Sequence, residues 1–393
     1  MKKILAVAIA SAFAAPAFAA TANVDVYGIA ALSVDYVDGG SGGANTVANM
    51  PSESRARVTS NTSVIGFKGS EDLGGGLSAI WQMESAVAMD QNFSIAGGRN
   101  TFAGLSHKSW GSLTFGLRDT AHKLATARLD VFGGGNQLAD YRSLFGAVSN
   151  GSIRANNSIT YISPNMAGFV VQATTAAMQE DGSSSNPHLY SLSASYTAGP
   201  LFLTLAHEDM KFARTSGDMF GAAGAVINAT GTAEAEQKNT RLGVGYTLGD
   251  LRLGAAWERT QVDVTGALAA NANFGTTSAQ STDRDAWYLS GAYKLGNNTL
   301  KAAYTNAGEL DGLANSGAQQ WSVGVDHALS KRTTVFALAT QVRNDGAASY
   351  GLGGNPTSTG TFQSGGGTGF VGMSAAAPGE DPRGISIGMI HRF

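Results

Sequence analysis

The feature of this sequence that most constrains its fold is an alternation of apolar residues with small or polar ones at a period of two. Segments 64–68, 113–118, 241–246 and 321–325 all show it. Successive side chains on a β-strand point to opposite faces, so each segment has one apolar face and one small or polar face. Such strands form either a soluble sandwich or a membrane barrel whose apolar face meets lipid and whose polar face lines a lumen.

The connections between the strands separate these two folds, because short and long connections alternate along the chain. Seven short ones, at 69–76, 108–111, 163–168, 198–200, 248–250, 295–298 and 328–332, carry the Gly, Asn, Asp and Pro residues of tight turns. Eight long ones centre on 37–58, 88–98, 119–153, 177–187, 210–238, 262–284, 307–317 and 343–383. Fifteen connections join sixteen strands. Strict alternation predicts a barrel with turns at one end and elaborate external loops at the other.

The sequence predicts strands at 24–36, 59–69, 77–87, 99–108, 112–118, 154–163, 169–176, 188–197, 201–209, 239–247, 251–261, 285–294, 299–306, 318–327, 333–342 and 384–393. Most approach the roughly 9–11 residues of a tilted transmembrane strand. The predicted fold class is all-β, a 16-stranded antiparallel transmembrane β-barrel formed by a single domain, 20–393. Segment 343–383, rich in Gly, Ser, Thr and Ala, is predicted to be an external loop.

The first nineteen residues have the pattern of a secretory signal peptide. Lys2 and Lys3 precede an apolar run at 4–13, and Ala17 and Ala19 occupy the −3 and −1 positions of a cleavage site. The apolar run is shorter than the roughly 20 residues of a membrane-spanning helix. We therefore expect export to the outer membrane, with removal of 1–19 and a change in formal charge from −3 to −5 as two lysines leave.

Composition and motifs exclude several classes of site. The chain has no cysteine, hence no disulfide, thiolate metal site or cysteine nucleophile. Its six histidines lack the close spacing of a zinc site, and neither a nucleophile elbow nor a phosphate-binding loop occurs. The run Gly74-Gly75-Gly76 lies between two strands and is predicted to be a tight turn. We expect no enzymatic activity, no cofactor and no metal, and the small negative charge argues against nucleic acid as a partner.

Several segments resemble the general porins of beta-proteobacteria. Residues 64–77 (VIGFKGSEDLGGGL) resemble their second strand, its turn and the start of the third, and 99–105 (RNTFAGL) and 111–118 (GSLTFGLR) resemble the fourth and fifth strands. Residues 154–161 (RANNSITY) and 163–169 (SPNMAGF) resemble the sixth strand and its turn, and 388–393 (GMIHRF) the closing strand. Together these matches span the chain from the first strand to the last residue.

The resemblance implies a homotrimer of barrels in outer-membrane lipid and lipopolysaccharide. It also implies that the long third loop folds into each lumen and narrows it, and that Phe393 is the signal read by the barrel-assembly machinery. Two departures from the family pattern indicate a less basic and differently shaped constriction. Val64 stands where members usually carry arginine, and 130–133 (DVFG) is the nearest match to a Pro-Glu-Phe-Gly run of the third loop.

A pore selects small hydrophilic solutes and ions by its diameter and by the charges that line it. Parity places Arg118 on the inward face with Thr114, and Arg154 on the inward face with Ser158. The predicted wall residues of the constriction are Arg99, Arg118, Arg154 and Lys68, although the parity of Arg99 leaves its direction open and Lys68 lies near the periplasmic turn. The predicted third-loop residues are Asp119, Asp130 and Asp140, with Arg128 and Arg142 beside them.

Opposition of these wall arginines to the loop acids would create a transverse field across the passage. The leading function is passive diffusion through a general porin, with the preference for anions or cations left open. The alternatives are a channel preferring small carboxylates and a surface adhesin that uses loops such as 210–238 and 343–383. A barrel enzyme would need a catalytic constellation at one rim, for which no motif is present.

Overall fold

The computed structural model describes residues 23–39, 54–90, 95–133, 137–146, 154–177, 188–218, 228–268, 279–348, 350–353 and 379–393; the predicted signal peptide lies outside these residues. Its strands are β1 (Asn23–Asp38), β2 (Arg55–Ser60), β3 (Val64–Gly74), β4 (Leu77–Val87), β5 (Ile95–His107), β6 (Gly111–Asp119), β7 (Arg154–Ile162), β8 (Phe169–Ala177), β9 (His188–Ala198), β10 (Leu201–Asp218), β11 (Asn228–Leu248), β12 (Leu251–Leu268), β13 (Ala279–Leu295), β14 (Asn298–Ala307), β15 (Ala318–Ala328), β16 (Thr333–Asn344) and β17 (Arg383–Arg392). None of the helices among the described residues is long and apolar enough to span a membrane.

The strands close into one antiparallel barrel. From β3 to β17 each strand pairs with the next strand along the chain, and β1 pairs with β17 from Ile29 opposite Arg392 to Asp38 opposite Arg383. Strands β2 and β3 both pair with β1, so they are two halves of one wall strand. The wall therefore has the sixteen strands that the sequence predicts.

Residues 61–63, between β2 and β3, interrupt a strand that the sequence predicts to be continuous. There the Asn61 N–H donates to the Ala31 oxygen at 2.8 Å. The Ser63 hydroxyl accepts from the Ala31 N–H and donates to the Ala31 oxygen, each at 3.0 Å. A side chain thus replaces the ladder bonds that the break removes, which leaves no buried backbone group of Ala31 unpaired.

The two faces of the wall differ as the alternation predicts. On β11, Leu242, Val244 and Tyr246 are exposed, whereas the neighbouring Arg241 is completely buried. The exposed apolar side chains form the lipid-facing surface, and the opposite parity faces the barrel interior. At the short-turn end, Gly74, Gly75 and Gly76 have φ values of +84°, +60° and +85°. These angles favour glycine, which confirms the prediction of a tight turn.

Strands β10 to β13 are longer than the sequence predicts. Strand β10 continues to Asp218 and β11 begins at Asn228, so much of the predicted loop 210–238 is strand. Likewise, β12 continues to Leu268 and β13 begins at Ala279 within the predicted loop 262–284. Beyond the membrane a strand needs no apolar face, so the alternation weakens there while the backbone ladder continues. Residues 354–378 of the predicted loop 343–383 lie outside the described part.

The third long connection carries short helices that the strand pattern does not predict. Helix α1 spans Ala121–Ala125, and 3-10 turns follow at Ala127–Leu129, Gln137–Ala139 and Tyr141–Ser143. We refer to the described residues 120–133 and 137–146 as the inner loop. The Thr120 side chain caps α1 by accepting from the Lys123 N–H at 3.3 Å. The inner loop contacts inward-facing side chains of β9 to β16, so it lies against the inside of the wall.

Candidate pore constriction

Helix α1 is held by polar contacts to the inner face of three strands. The His122 N–H donates to the Ser191 hydroxyl of β9 at 2.9 Å. Arg241 of β11 donates to the His122 carbonyl oxygen at 3.2 Å and to the Thr126 hydroxyl at 3.1 Å. On β12, Glu258 accepts from the Arg241 Nε at 2.7 Å. These bonds fix the start of the inner loop to the wall.

The next turn of the inner loop packs into a shallow depression of the wall. A Cβ at Gly243 would lie 2.8 Å from Leu129, and one at Gly254 would lie 3.3 Å from it. Leu129 therefore occupies space that any larger wall residue would fill, and it is only 3% exposed. The Ser290 hydroxyl of β13 donates to the Leu129 oxygen at 2.7 Å. Small residues on the wall thus set how closely the loop approaches.

The Asp-Val-Phe-Gly run at 130–133 forms a turn that buries its aromatic ring. The Asp130 carboxylate accepts from the Phe132 N–H at 2.9 Å. The Phe132 ring is buried, and the Lys301 ammonium of β14 lies 4.8 Å from its centroid. Further along, Gln320 of β15 donates to the Leu138 oxygen at 3.4 Å. The inner loop therefore follows the wall as far as β15.

On the other side of the barrel, a bulge settles the direction of Arg99. Pairing between β4 and β5 shifts between Met83 and Ser85, where two residues of β5, Arg99 and Asn100, oppose one residue of β4. A bulge re-aims the side chains of the longer strand. The Arg99 Nε donates to Glu84 at 2.8 Å, and the Tyr27 hydroxyl donates to the other oxygen of Glu84 at 2.9 Å. Arg99 thus belongs to the inner face and is paired with a carboxylate.

Asp119 is the centre of a second ion cluster, at the point where β6 leads into the inner loop. Its carboxylate lies 2.9 Å from the Arg154 guanidinium of β7 and 2.8 Å from the Lys123 ammonium of α1. The Asn100 amide of β5 donates to the same carboxylate at 2.9 Å. Burial lowers the pKa of Lys123 to about 8, although Asp119 opposes this effect. Asp119 therefore neutralises Arg154 locally instead of facing it across the passage.

Arg118 has a different environment from the other predicted arginines. Its guanidinium lies 3.9 Å from the centroid of the Phe102 ring and donates to the Thr114 hydroxyl at 3.3 Å. Within the part of the chain that the structure describes, no carboxylate oxygen lies within 4.0 Å of it. Stacking on an aromatic face holds a guanidinium without cancelling its charge. Arg118 therefore presents a charged guanidinium at the wall.

The remaining predicted residues lie apart from this group. The half-buried Arg142 binds Asp140 of the same loop, and this carboxylate raises the pKa of Arg142. Burial, together with the charge of Asp140, raises the pKa of Asp130 to about 6.

Lys68 lies toward the short-turn end, 5.3 Å from the Tyr27 ring. Arg128 donates to Thr197 at 3.1 Å near another short turn. The structure does not bring Asp130 or Asp140 into contact with the wall arginines.

The match to known proteins extends over most of the chain: residues 6–348 match the Gram-negative porin family. The chain belongs to this family. It is 26% identical over 348 residues to major outer membrane protein P.IB of Neisseria gonorrhoeae, a match covering 86% of this porin and 93% of the relative. It is 27% identical to outer membrane porin protein 32 of Delftia acidovorans, with 100% of both chains covered. An anion-selective porin from Comamonas acidovorans has the same fold, with a TM-score of 0.70 at 21% identity over 95% of this porin and 100% of that chain.

This porin is therefore an outer-membrane channel for the passive diffusion of small hydrophilic solutes and ions, as the sequence predicts. The sequence reading missed the buried polar residues that hold the loop, namely His122, Glu208, Arg241 and Glu258. Parity gave a usable signal, because Arg241 and Glu258 each stand next to an outward-facing apolar residue, Leu242 and Trp257.

Proposed function

We propose that this porin is a trimeric general diffusion pore that passes small anions more readily than cations. The observation that carries the proposal is the guanidinium of Arg118, which is held on the Phe102 ring without a carboxylate partner among the described residues. A cation that is fixed but not neutralised lowers the energy of anions close to it and raises that of cations.

The charges around the passage support the same sign of selectivity. We count the predicted constriction residues that lie near the inner loop or the wall arginines, together with their ion-pair partners: the cations Arg99, Arg118, Lys123, Arg142 and Arg154 and the carboxylates Glu84, Asp119, Asp130 and Asp140. Five positive charges minus four negative charges give a formal sum of +1. Three of the four carboxylates lie in close ion pairs, so they contribute little field at a distance. The solved relative named as anion-selective, which shares this fold, is consistent with that sign.

The transverse field that the sequence suggested takes a weaker form in this proposal. Asp119 and Asp140 each bind a cation on their own side of the passage, so the charges are not separated across it. Of the three loop acids, Asp130 is the one whose carboxylate accepts from a backbone N–H and not from a cationic side chain. We therefore propose a modest anion preference rather than strict exclusion of cations.

The trimeric state, the contacts with lipopolysaccharide and the use of Phe393 by the barrel-assembly machinery are parts of the proposal. A solved outer-membrane protein of Vibrio cholerae with the same fold is described in a trimer form, at a TM-score of 0.66 and 15% identity. The backbone of Phe393 pairs with Gly28 of β1 through bonds of 3.0 and 3.1 Å. The last residue thus completes the closing pair, which fits a role in assembly. We also propose that this porin catalyses no reaction.

The experiment that tests the function is a planar-bilayer recording of the mature protein under a gradient of potassium chloride. We expect ohmic steps in groups of three and a reversal potential of the sign produced by chloride permeation. Single steps would contradict the trimer, and a reversal potential of the opposite sign would contradict the anion preference. Folded protein without channels would contradict passive diffusion itself.

A carboxylate-preferring channel is the second candidate, because a stacked guanidinium beside a hydroxyl is a suitable partner for a carboxylate group. Arg118 and Thr114 provide this pair. Acetate would then compete with chloride, and the chloride current would fall at acetate concentrations too low to change the ionic strength. A chloride current indifferent to acetate would leave general diffusion as the function.

A further inference from the structure

A short segment of the connection between β16 and β17 lies against the inner loop. It comprises the described residues 345–348 and 350–353, and we refer to it as the strap. Tyr350 of the strap is 0% exposed and belongs to the same apolar cluster as Leu138 and Leu144 of the inner loop. Because the strap follows β16 at the end of the barrel opposite the short turns, it covers the inner loop from the external side.

Hydrogen bonds fix the path of the strap. The Asp345 N–H donates to the Gly317 oxygen at 3.0 Å, where the strap begins. The side chain of Asn344, the last residue of β16, accepts from the Tyr350 N–H and donates to the Tyr350 oxygen, each at 2.9 Å. Both backbone groups of Tyr350 are therefore bound, and its side chain has a defined position.

Arg284 of β13 joins the strap to the inner loop. It has the same parity as Ser290, whose hydroxyl binds the inner loop, and it is 3% exposed. Its guanidinium donates to the Tyr350 hydroxyl and, at 2.8 Å, to the Leu144 oxygen. One buried cation of the wall thus binds the strap and the end of the inner loop together.

The carboxylates next to Arg284 along β13 bind a different arginine. Asp283 and Asp285 have the opposite parity and form ion pairs with Arg259 of β12 on the outer face. Among the described residues, the hydrogen-bond acceptors of Arg284 are therefore the oxygens of Tyr350 and Leu144. Its Nε has no acceptor there. A buried guanidinium with so few acceptors is strongly destabilised when it loses one of them.

We propose that Arg284 is a positioning residue that ties the strap and the end of the inner loop to β13, so that the two segments open as one unit. Departure of the strap removes the Tyr350 hydroxyl and the apolar cover of Leu144, and the end of the inner loop loses its support at the same moment. The strap thereby helps to set the width of the passage. The inference rests on the proposed passage beside the inner loop, but not on which ions permeate it.

Thiol labelling measures the two segments separately, because the chain has no cysteine. Ala348 of the strap is 0% exposed and Ala139 of the inner loop is 3% exposed, so a cysteine at either position is protected while both segments are docked. Ala127 is exposed and gives the rate of an unprotected thiol. The quantities measured are the labelling rates of A348C and A139C, each divided by that of A127C, in the folded protein in detergent.

Tyr350→Phe removes one hydroxyl and keeps the ring. Because the lost hydrogen bond belongs to a charged group, both normalised rates should rise by about tenfold. Arg284→Met should raise both rates at least as much. Adding Tyr350→Phe to Arg284→Met should raise them no further, since the bond is already absent. Unchanged rates in Tyr350→Phe would overturn the proposal, and so would a rise confined to A348C, which would show that the strap opens alone.

Arg259→Met is the matched control, because Arg259 lies on the neighbouring strand and binds Asp283 and Asp285 on the outer face. It should leave both rates at their wild-type values, and a rise as large as that in Arg284→Met would overturn the proposal. If Arg284→Met fails to fold, Tyr350→Phe still decides the outcome, because it changes a single hydroxyl.

Bilayer recordings connect the strap to the passage. Single-channel currents of Tyr350→Phe should fluctuate more than those of the wild type, because the end of the inner loop is released more often. Currents as steady as those of the wild type would overturn the part of the strap in setting the passage. Failure of the anion preference would instead appear in the sign of the reversal potential, which the labelling rates do not report, so the two outcomes are distinguishable.

Discussion

Replacement of Arg118 by glutamine tests whether one guanidinium dominates the selectivity of this porin. Arg118 lies on the inner face of β6, stacked on Phe102 at 3.9 Å and bonded to Thr114. Glutamine retains a polar side chain of intermediate length and removes the charge. Because no described carboxylate depends on Arg118 for an ion pair, the change should not rearrange the neighbouring clusters of Glu84 and Asp119.

The magnitude follows from Coulomb's law. An ion passing about 5 Å from the guanidinium in water gains or loses roughly 0.8 kcal/mol, so an anion and a cation differ by roughly 1.6 kcal/mol. Screening at about 0.1 M salt, where the Debye length is about 10 Å, reduces the difference to roughly 1 kcal/mol. Loss of Arg118 should therefore lower the ratio of anion to cation permeability by about fivefold.

The assay is the reversal potential of single trimers under a gradient of potassium chloride. Arg118→Lys should retain most of the preference, because the charge remains. Arg332→Gln, in the exposed short turn before β16, makes the same change in charge far from the constriction and should have little effect. A permeability ratio in Arg118→Gln equal to that of the wild type would refute the reasoning, as would an equal fall in Arg332→Gln.

Three further predictions follow from the packing and charges. Leu129→Ala removes a buried side chain of the inner loop and should destabilise its docking by about 2–5 kcal/mol, visible as frequent brief closures in single-channel records. Gly28→Val places a Cβ 2.3 Å from the Phe393 ring and should lower the temperature at which the barrel unfolds in detergent gels; an unchanged temperature would contradict the close packing. The pKa of Asp130, raised to about 6, predicts that anion preference increases as pH falls through 6 and this carboxyl is neutralised, and that Asp130→Asn abolishes the change in reversal potential.

The wall of the barrel could be predicted from the sequence because one physical rule acts along its whole length. Lipid on one side and water on the other impose the alternation at every strand, as at Leu242 and Arg241 of β11. The rule fails where one side no longer meets lipid, which is why the predicted β10 ends too early and the predicted β11 begins too late. It also fails at residues 61–63, where the Ser63 side chain replaces ladder bonds within the second wall strand.

The charges of the constriction were harder to predict, since parity gives a face but not a partner. Parity predicts an inward direction for Arg118, whose guanidinium bonds to Thr114, but it could not show that Arg99 binds Glu84 or that Asp119 binds Arg154. A bulge at β5 changes parity locally, and no residue type announces it. Which residues stand opposite each other on neighbouring strands depends on the register. Alternation shows only which face each residue is on, so it does not distinguish registers that differ by an even number of residues.

The position of the inner loop follows from a property of the wall that alternation does not record, namely the size of the inward residues. On the docking side, a Cβ at Gly243 or Gly254 would meet Leu129, and one at Gly324 would meet Phe132. On the opposite side the inward positions carry large charged residues such as Arg99 and Arg118. The charged inward residues of the docking side, such as Arg241 and Lys301, do not prevent this approach, because each is paired with a carboxylate of the wall, Glu258 or Asp326. The small inward residues of the docking side therefore determine how closely the inner loop can approach the wall.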